Sequence, residues 1–246
     1  MRMIVGSILC NISGLSLLIA MWRQAKKENT PGKNLRCLVI VGCVLMFPVI
    51  ALQTVVGYVD RLTFLQTHPL LAEIVMSGIR LAFVEEICKY WGTKIVTWKG
   101  EYFNNSRQGM LFPAITALSF GLLENVLFIA LSLTEPPRQF WLIVLTRALI
   151  GAPGHGAYGI IMGIFYWRAK NAERVGNQRI KRKNLCLATL VPGSIHGIYD
   201  WLASSQIIKI GDTHIVTIIM VALDFLVIIF AYALLYRRKT TVSVKN

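Results

Sequence analysis

Acidic residues are scarce in this sequence. Only 12 Asp and Glu stand against 26 Lys and Arg, and charged residues of both signs make up 15% of the 246 positions. Hydrophobic residues make up 55%. So little charge combined with long apolar runs excludes an ordinary soluble domain and is typical of a membrane protein. We therefore expect an all-α fold, a polytopic bundle of transmembrane helices.

Several signatures of other protein classes are missing as well. The five cysteines form no CxxC pair, so we interpret them as small apolar helix residues rather than redox or metal-binding groups. The strongest zinc-hydrolase signature, HExxH, is absent. No small-residue cleavage site follows the first apolar run, which favours an uncleaved span over a signal peptide. No internal repeat is visible, which disfavours transporters built from inverted repeats.

The net charge of +14 does not indicate nucleic-acid binding, which would need a basic groove with interleaved aromatic residues outside the membrane. Most basic residues instead lie in clusters between or after apolar runs, at positions 23–36, 94–107, 168–183 and 237–245. Alternate loops therefore carry the positive charge, as the positive-inside rule describes. This pattern predicts an outside N-terminus, a cytoplasmic C-terminus and the lipid bilayer as a partner.

Seven segments are long enough to span the membrane, since a hydrocarbon core about 30 Å thick needs roughly 20 helical residues. They lie at positions 3–22, 35–59, 70–97, 110–133, 140–167, 185–206 and 214–236. We expect a single integral membrane domain over residues 1–246, with a motif-bearing core at about 70–206. Pro48 should kink the second segment, and the Gly-Ala-Pro-Gly run at 151–154 should interrupt the fifth.

Four of these segments carry ionisable side chains at a similar depth. Counted from the cytoplasmic ends at about 1.5 Å per residue, the key groups lie roughly 16–21 Å deep; they are Glu86, Glu124, His155 and His196. An ionisable group in hydrocarbon costs on the order of 2.5–3.5 kcal/mol, so repeated placement in one layer predicts a shared polar site.

The spacing within each motif points its polar members to one helix face. Lys89 follows Glu85 by four residues and Glu86 by three, and Asp200 follows His196 by four. We predict six catalytic residues and two supporting ones; the catalytic set is Glu85, Glu86, Glu124, His155, His196 and Asp200, and the supporting pair is Lys89 and Asn125.

Two chemistries fit this set, and the residues alone do not separate them. In the first, a divalent metal such as zinc binds His and Glu side chains, and metal-bound water attacks a carbonyl while a spare Glu acts as base. The ligands would be Glu86, Glu124, His155 and His196. In the second, no cofactor is present: a Glu–His pair activates water, and a second His with Asp or Asn stabilises the oxyanion.

Three further charged residues lie inside predicted spans. We interpret Arg80 and Arg147 as structural counter-charges. Asp224, in the last span, is expected to pair with one of these arginines, and we assign it no other role.

At these positions the chain resembles the PrsW family of intramembrane proteases. It contains that family's Glu-Glu-x-x-Lys, Phe-x-x-x-Glu-Asn, Gly-His-Gly and His-x-x-x-Asp patterns in the same order, beginning at Glu85, Phe120, Gly154 and His196. The family is similar in plan to the CAAX protease superfamily, which includes the gamma-secretase subunit Aph-1.

The resemblance implies a bacterial inner-membrane endopeptidase that makes the first cut in a single-span anti-sigma factor. It implies that the paired glutamates and the histidines are catalytic. The family's metalloprotease label implies a metal, whereas members of the wider superfamily look metal-free.

Two other functions stay open at this point. One is a non-catalytic scaffold or immunity protein of the same superfamily; the other is a proton-coupled carrier, since buried acid and histidine chains also serve proton relays. Cleavage of a membrane substrate would distinguish the enzyme from the scaffold, and ion flux in proteoliposomes would identify the carrier.

Overall fold

A computed structural model describes residues 1–58, 66–204 and 214–237, and the helices with bounds in these ranges contain nearly all of them. We name the α-helices α1 (Arg2–Lys27), α2 (Gly32–Val44), α3 (Met46–Gly57), α4 (Pro69–Glu73), α5 (Val84–Thr97), α6 (Ser106–Leu131), α7 (Pro137–Thr146), α8 (Ala152–Arg174), α9 (Gln178–Ser204) and α10 (His214–Tyr236). The described residues contain no strand, which confirms the all-α class.

Five helical stretches of the described residues are long and apolar enough to cross a membrane. They are Arg2–Lys27, Gly32–Gly57, Ser106–Thr134, Pro137–Arg174 and Ile219–Tyr236. The chain is therefore a multi-pass membrane protein.

Two further predicted spans, 70–97 and 185–206, do not meet the same standard. They are helical over 69–97 and over Gln178–Ser204, but they carry many of the charged residues. The count of seven spans, the orientation of the termini and the single-domain organisation stay predictions. Positions 59, 205 and 206 of the predicted spans lie outside the described residues.

The second predicted span is interrupted close to its proline. Helix α2 ends at Val44, Leu45 lies in a turn, and α3 begins at Met46. Pro48 has no backbone N–H to donate to the carbonyl of Val44, so the regular helical ladder fails at this point. The helix is thus interrupted at Leu45, three residues before the proline that predicts a kink.

The predicted interruption before His155 takes a milder form. The chain stays helical, with a π-helical segment at Arg147–Gly151 that continues into α8. Pro153 lies in the first turn of α8, directly after the π-helical segment, where it can donate no backbone N–H. A longer π-helical segment, Ile74–Phe83, joins α4 to α5. Helices α5 and α8, which carry Glu86 and His155, are therefore each preceded by a π-helical segment. Such segments are frequent at functional sites.

Helices α6 and α8 pack against each other at the centre of the described structure, and α1, α2, α9 and α10 contact one or both of them. The backbones approach closely because small residues face each other. A Cβ atom at Gly159 would lie only 2.6 Å from Ala114 Cα and 2.7 Å from the Pro113 carbonyl oxygen. Lipid is as apolar as the side chains, so the hydrophobic effect does not drive helices together within the membrane. Close packing of small residues is then a main source of helix–helix attraction.

Replacing Gly159 with alanine should therefore destabilise the protein, because its neighbours are backbone atoms that cannot rotate away. We expect a loss of about 1–3 kcal/mol, the usual effect of overpacking. Thermal unfolding in detergent would measure it. Gly32→Ala is the matched control, since a Cβ there meets only the Lys26 amine at 3.7 Å. Equal melting of both variants and the parent would contradict the packing argument.

Candidate active site

The ammonium of Lys89 lies at the centre of the polar layer. This side chain is completely buried. Its Nζ donates to Glu85 Oε2 at 3.1 Å and to Glu86 Oε1 at 2.8 Å, and lies 2.9 Å from His155 Nδ1. The predicted shared face of α5 is confirmed. One ammonium faces two adjacent carboxylates, so this part of the site keeps an excess of negative charge.

His196 connects α9 to this group. Its Nδ1 lies 3.1 Å from Glu86 Oε1, and its Nε2 lies 3.5 Å from Asp200 Oδ2. The predicted pairing of His196 with Asp200 is thus present. Glu86 is fully buried, and its second oxygen, Oε2, has no hydrogen-bond partner among the described residues. A buried acceptor of this kind is costly unless a ligand, water or ion uses it.

A second acidic group lies on the other side of His155. Glu124 of α6 accepts from His155 Nε2 at 2.8 Å and also pairs with the guanidinium of Arg147. Arg147 Nε donates to Asn125 Oδ1 at 2.7 Å, and the Asn125 amide donates to the Cys10 carbonyl of α1 at 3.0 Å. Arg147 is therefore the counter-charge that the sequence predicts, and Asn125 fixes it.

Arg80 is connected to the site through Gln53. Its Nε donates to the backbone carbonyl of Gln53 at 2.8 Å, while the Gln53 amide donates to Glu85 Oε1 at 3.3 Å. Gln53 was not among the predicted site residues. Only the packing of α3 beside α5 brings its amide to the carboxylate.

The expected pairing of Asp224 with an arginine was wrong. Among the described residues it pairs with no arginine; its Oδ1 accepts from the Tyr158 hydroxyl at 2.6 Å. The ring of Tyr158 stacks on His196, with centroids 4.8 Å apart and planes at 24°. Tyr158 follows His155 by three residues, so it shares the helix face that points into the site. The sequence analysis did not include Tyr158 among the site residues, although its spacing from His155 could have indicated it.

Several of these side chains line a cavity of about 260 Å³, while the fully buried Lys89 and Glu86 lie behind its wall. Its polar wall comes from Glu85, Glu124, Arg147, His155, His196 and Asp224, and its apolar wall includes Met46, Val49, Ile50, Leu127 and Phe128. One water needs roughly 10–15 Å³ of such space and two to four polar partners. The cavity can therefore hold water next to an apolar segment.

Four donors are close enough to bind one metal ion. Single ligand atoms of Glu85, Glu86, His155 and His196 all lie within 4.8 Å of one another, and all four residues are buried. Carboxylate oxygen and imidazole nitrogen are common zinc ligands. The sequence predicts Glu124 in place of Glu85, and the structure places Glu124 against the far nitrogen of His155 instead. Lys89 contacts three of the four donors and supplies positive charge at their centre.

Comparison with known proteins gives one consistent result. Residues 30–233 match the sequence model of a family described as PrsW family intramembrane metalloprotease. Several curated proteins named Protease PrsW are similar. That of Geobacillus kaustophilus is 26% identical over 77% of this chain and 75% of its own length, and that of Bacillus subtilis 26% over 78% and 79%. The Halalkalibacterium halodurans protein is 30% identical over 65% and 66%. No solved structure matches the chain.

Removing the Arg147 guanidinium should destabilise the fold, because Glu124, whose side chain is only 12% exposed, would remain without its cation. We expect Arg147→Met to cost about 3–5 kcal/mol, and the double variant Glu124→Gln/Arg147→Met to recover a substantial part of that loss. Unfolding in detergent would measure both. Arg138→Met, an exposed arginine of the same helical stretch, should change little. No recovery in the double variant would show that the ion pair is not the source of the effect.

Proposed function

Because the chain belongs to the PrsW family of intramembrane metalloproteases, we propose that it hydrolyses a peptide bond within or next to a membrane-spanning substrate at the cavity lined by Glu85, His155 and His196. The observation that carries this proposal is the convergence of Glu85, Glu86, His155 and His196 on one buried point. Side chains from three helices would each face a large cost in hydrocarbon, and a hydrolytic site explains why they meet.

Glu86 is the proposed general base. Its Oε1 is occupied by Lys89 and His196, while Oε2 is free to accept a proton from water. That water would form the new C–O bond to the substrate carbonyl carbon, and the carbonyl electrons would move to its oxygen. When the C–N bond breaks, Glu86 would return the proton to the departing amine.

The remaining residues would orient this water and stabilise the oxyanion. Lys89 supplies a fixed positive charge beside Glu85 and Glu86, and the two ring nitrogens of His196 face Glu86 and Asp200, which fixes the orientation of the imidazole. Fixed donors in a site that excludes bulk water stabilise developing charge strongly. Glu124 and Arg147 would hold His155 in the orientation that faces the cavity.

The residues also fit a divalent cation. Glu85, Glu86, His155 and His196 would hold it, and the free Oε2 of Glu86 is an unused ligand atom. When bound, an ion such as zinc would lower the pKa of water enough for attack at neutral pH. Since Lys89 contacts three of these residues, its ammonium competes with the ion for the same donors.

For the substrate, we propose a single-span anti-sigma factor cut at its first site in the bacterial inner membrane, as the family resemblance implies. A helical amide is already hydrogen-bonded, so the substrate must unwind locally to present its carbonyl. The apolar wall formed by α3 and α6 would contact the side chains beside the cut bond.

Replacing Glu86 with glutamine should lower kcat by about 10²–10⁴-fold, because an amide cannot accept the proton. Purified protein in nanodiscs with a tethered single-span substrate gives the measurement, and Glu124→Ala and His155→Ala should also lose most activity. Glu173→Gln is the matched control, since that carboxylate binds Lys170 and Lys181 away from the cavity. Persistent cleavage by all three site variants would disprove the proposal.

Replacing Lys89 with methionine should increase zinc affinity, because the competing ammonium is removed. Titration with zinc, read out by metal content after desalting, would compare it with the parent and with Glu86→Ala, which should bind less. Activity after chelation then separates the two chemistries: loss indicates the metal, and full retention indicates Glu86 acting directly. Equal or weaker binding by Lys89→Met would contradict the competition.

A further inference from the structure

One oxygen of Asp224 has no assigned use. The residue is 97% buried, since only 3% of its surface is exposed. Its Oδ1 accepts from Tyr158, but Oδ2 has no hydrogen-bond partner among the described residues. Gly154 places no side chain against this oxygen, since a Cβ there would lie 3.1 Å from Oδ2. A buried acceptor without a donor indicates a place where a ligand supplies one.

Asp224 lies where two spaces meet. It lines the cavity that contains His155 and His196, and it also lines a cleft between α9 and α10. The cleft is almost entirely apolar, and its walls include Ile198, Leu223 and Phe230, each at least half exposed on the outer surface of the bundle. In a membrane this outer surface faces lipid. Asp224 and Tyr199 are the residues that line both spaces.

A peptide that passes from lipid into the cavity brings donors with it. Each residue that leaves a helix frees a backbone N–H, and such a group needs an acceptor because lipid offers none. A carboxylate oxygen is a strong acceptor for a backbone N–H. The chemistry of Asp224 Oδ2, an acceptor at the inner end of an apolar cleft, matches this need.

We propose that Asp224 is a substrate-positioning residue that accepts a hydrogen bond from a backbone N–H of the unwound substrate as it enters through the cleft between α9 and α10. This inference rests on the proposed function, since it assumes a peptide substrate at the cavity. It differs from a structural role in which Asp224 only holds Tyr158 against His196.

Asp224→Asn separates the two roles. The amide keeps one oxygen for the Tyr158 hydroxyl and preserves the shape, but it places an NH₂ donor where the free acceptor was. The probe is a synthetic fluorescent single-span peptide with a central Gly-Gly pair, bound in nanodiscs by protein that carries Glu86→Gln to prevent hydrolysis. We expect at least tenfold weaker binding after Asp224→Asn. Glu173→Gln, whose carboxylate binds Lys170 and Lys181 away from both spaces, should change binding less than threefold.

A second measurement changes the peptide while each protein stays the same. Esters that replace single amides near the Gly-Gly pair remove one N–H at a time. One position should weaken binding at least fivefold to protein with Asp224, and should have no effect with Asp224→Asn. The inference is overturned if Asp224→Asn binds like its parent, if neither binds the peptide, or if no ester position matters. The proposed function has its own readout, cleavage by protein with Glu86 intact, so the two can fail separately.

Discussion

The buried ammonium of Lys89 is the interaction on which the rest of this site depends. It holds both carboxylates of α5 and contacts the histidine of α8, and through Glu86 and His155 it connects to α9 and α6. The described polar layer contains more carboxylates than permanent cations; the acids are Glu85, Glu86, Glu124, Asp200 and Asp224, and the cations Lys89 and Arg147. An excess of buried negative charge favours protonated histidines or a bound cation. The described carboxylates therefore favour additional positive charge at this site.

The helices that carry these charged residues are packed closely on one side of the site and leave a cleft on the other. Close contact of α6 and α8 at Gly159 fixes the two helices that carry Glu124 and His155. On the opposite side, α10 reaches the layer mainly through Asp224, and the cleft beside it opens toward lipid. Close packing on one side and an apolar cleft on the other are consistent with the proposed entry of the substrate between α9 and α10.

Local spacing predicts part of this site well, because residues three or four apart on a helix share a face. The group of Glu85, Glu86 and Lys89 and the pair of His196 and Asp200 follow from that rule. The sequence also predicts the common layer, since helical rise converts position into depth. It does not predict which helix lies beside which. The Tyr158–Asp224 bond, the contact of Gln53 with Glu85 and the separation of Glu124 from the four-donor group all depend on interhelical packing.

The π-helical segments before α5 and α8 have a consequence for which changes in length this chain can accept. The hydrogen bond of a π turn joins residues five apart, whereas that of an α turn joins residues four apart. A π turn therefore changes the direction in which the side chains of the following helix point. Glu85 and Glu86 follow Ile74–Phe83 directly, and His155 follows Arg147–Gly151. Deleting one residue there would rotate the following side chains by about 100°, away from the ammonium. These two stretches should reject insertions and deletions that the connecting loops accept.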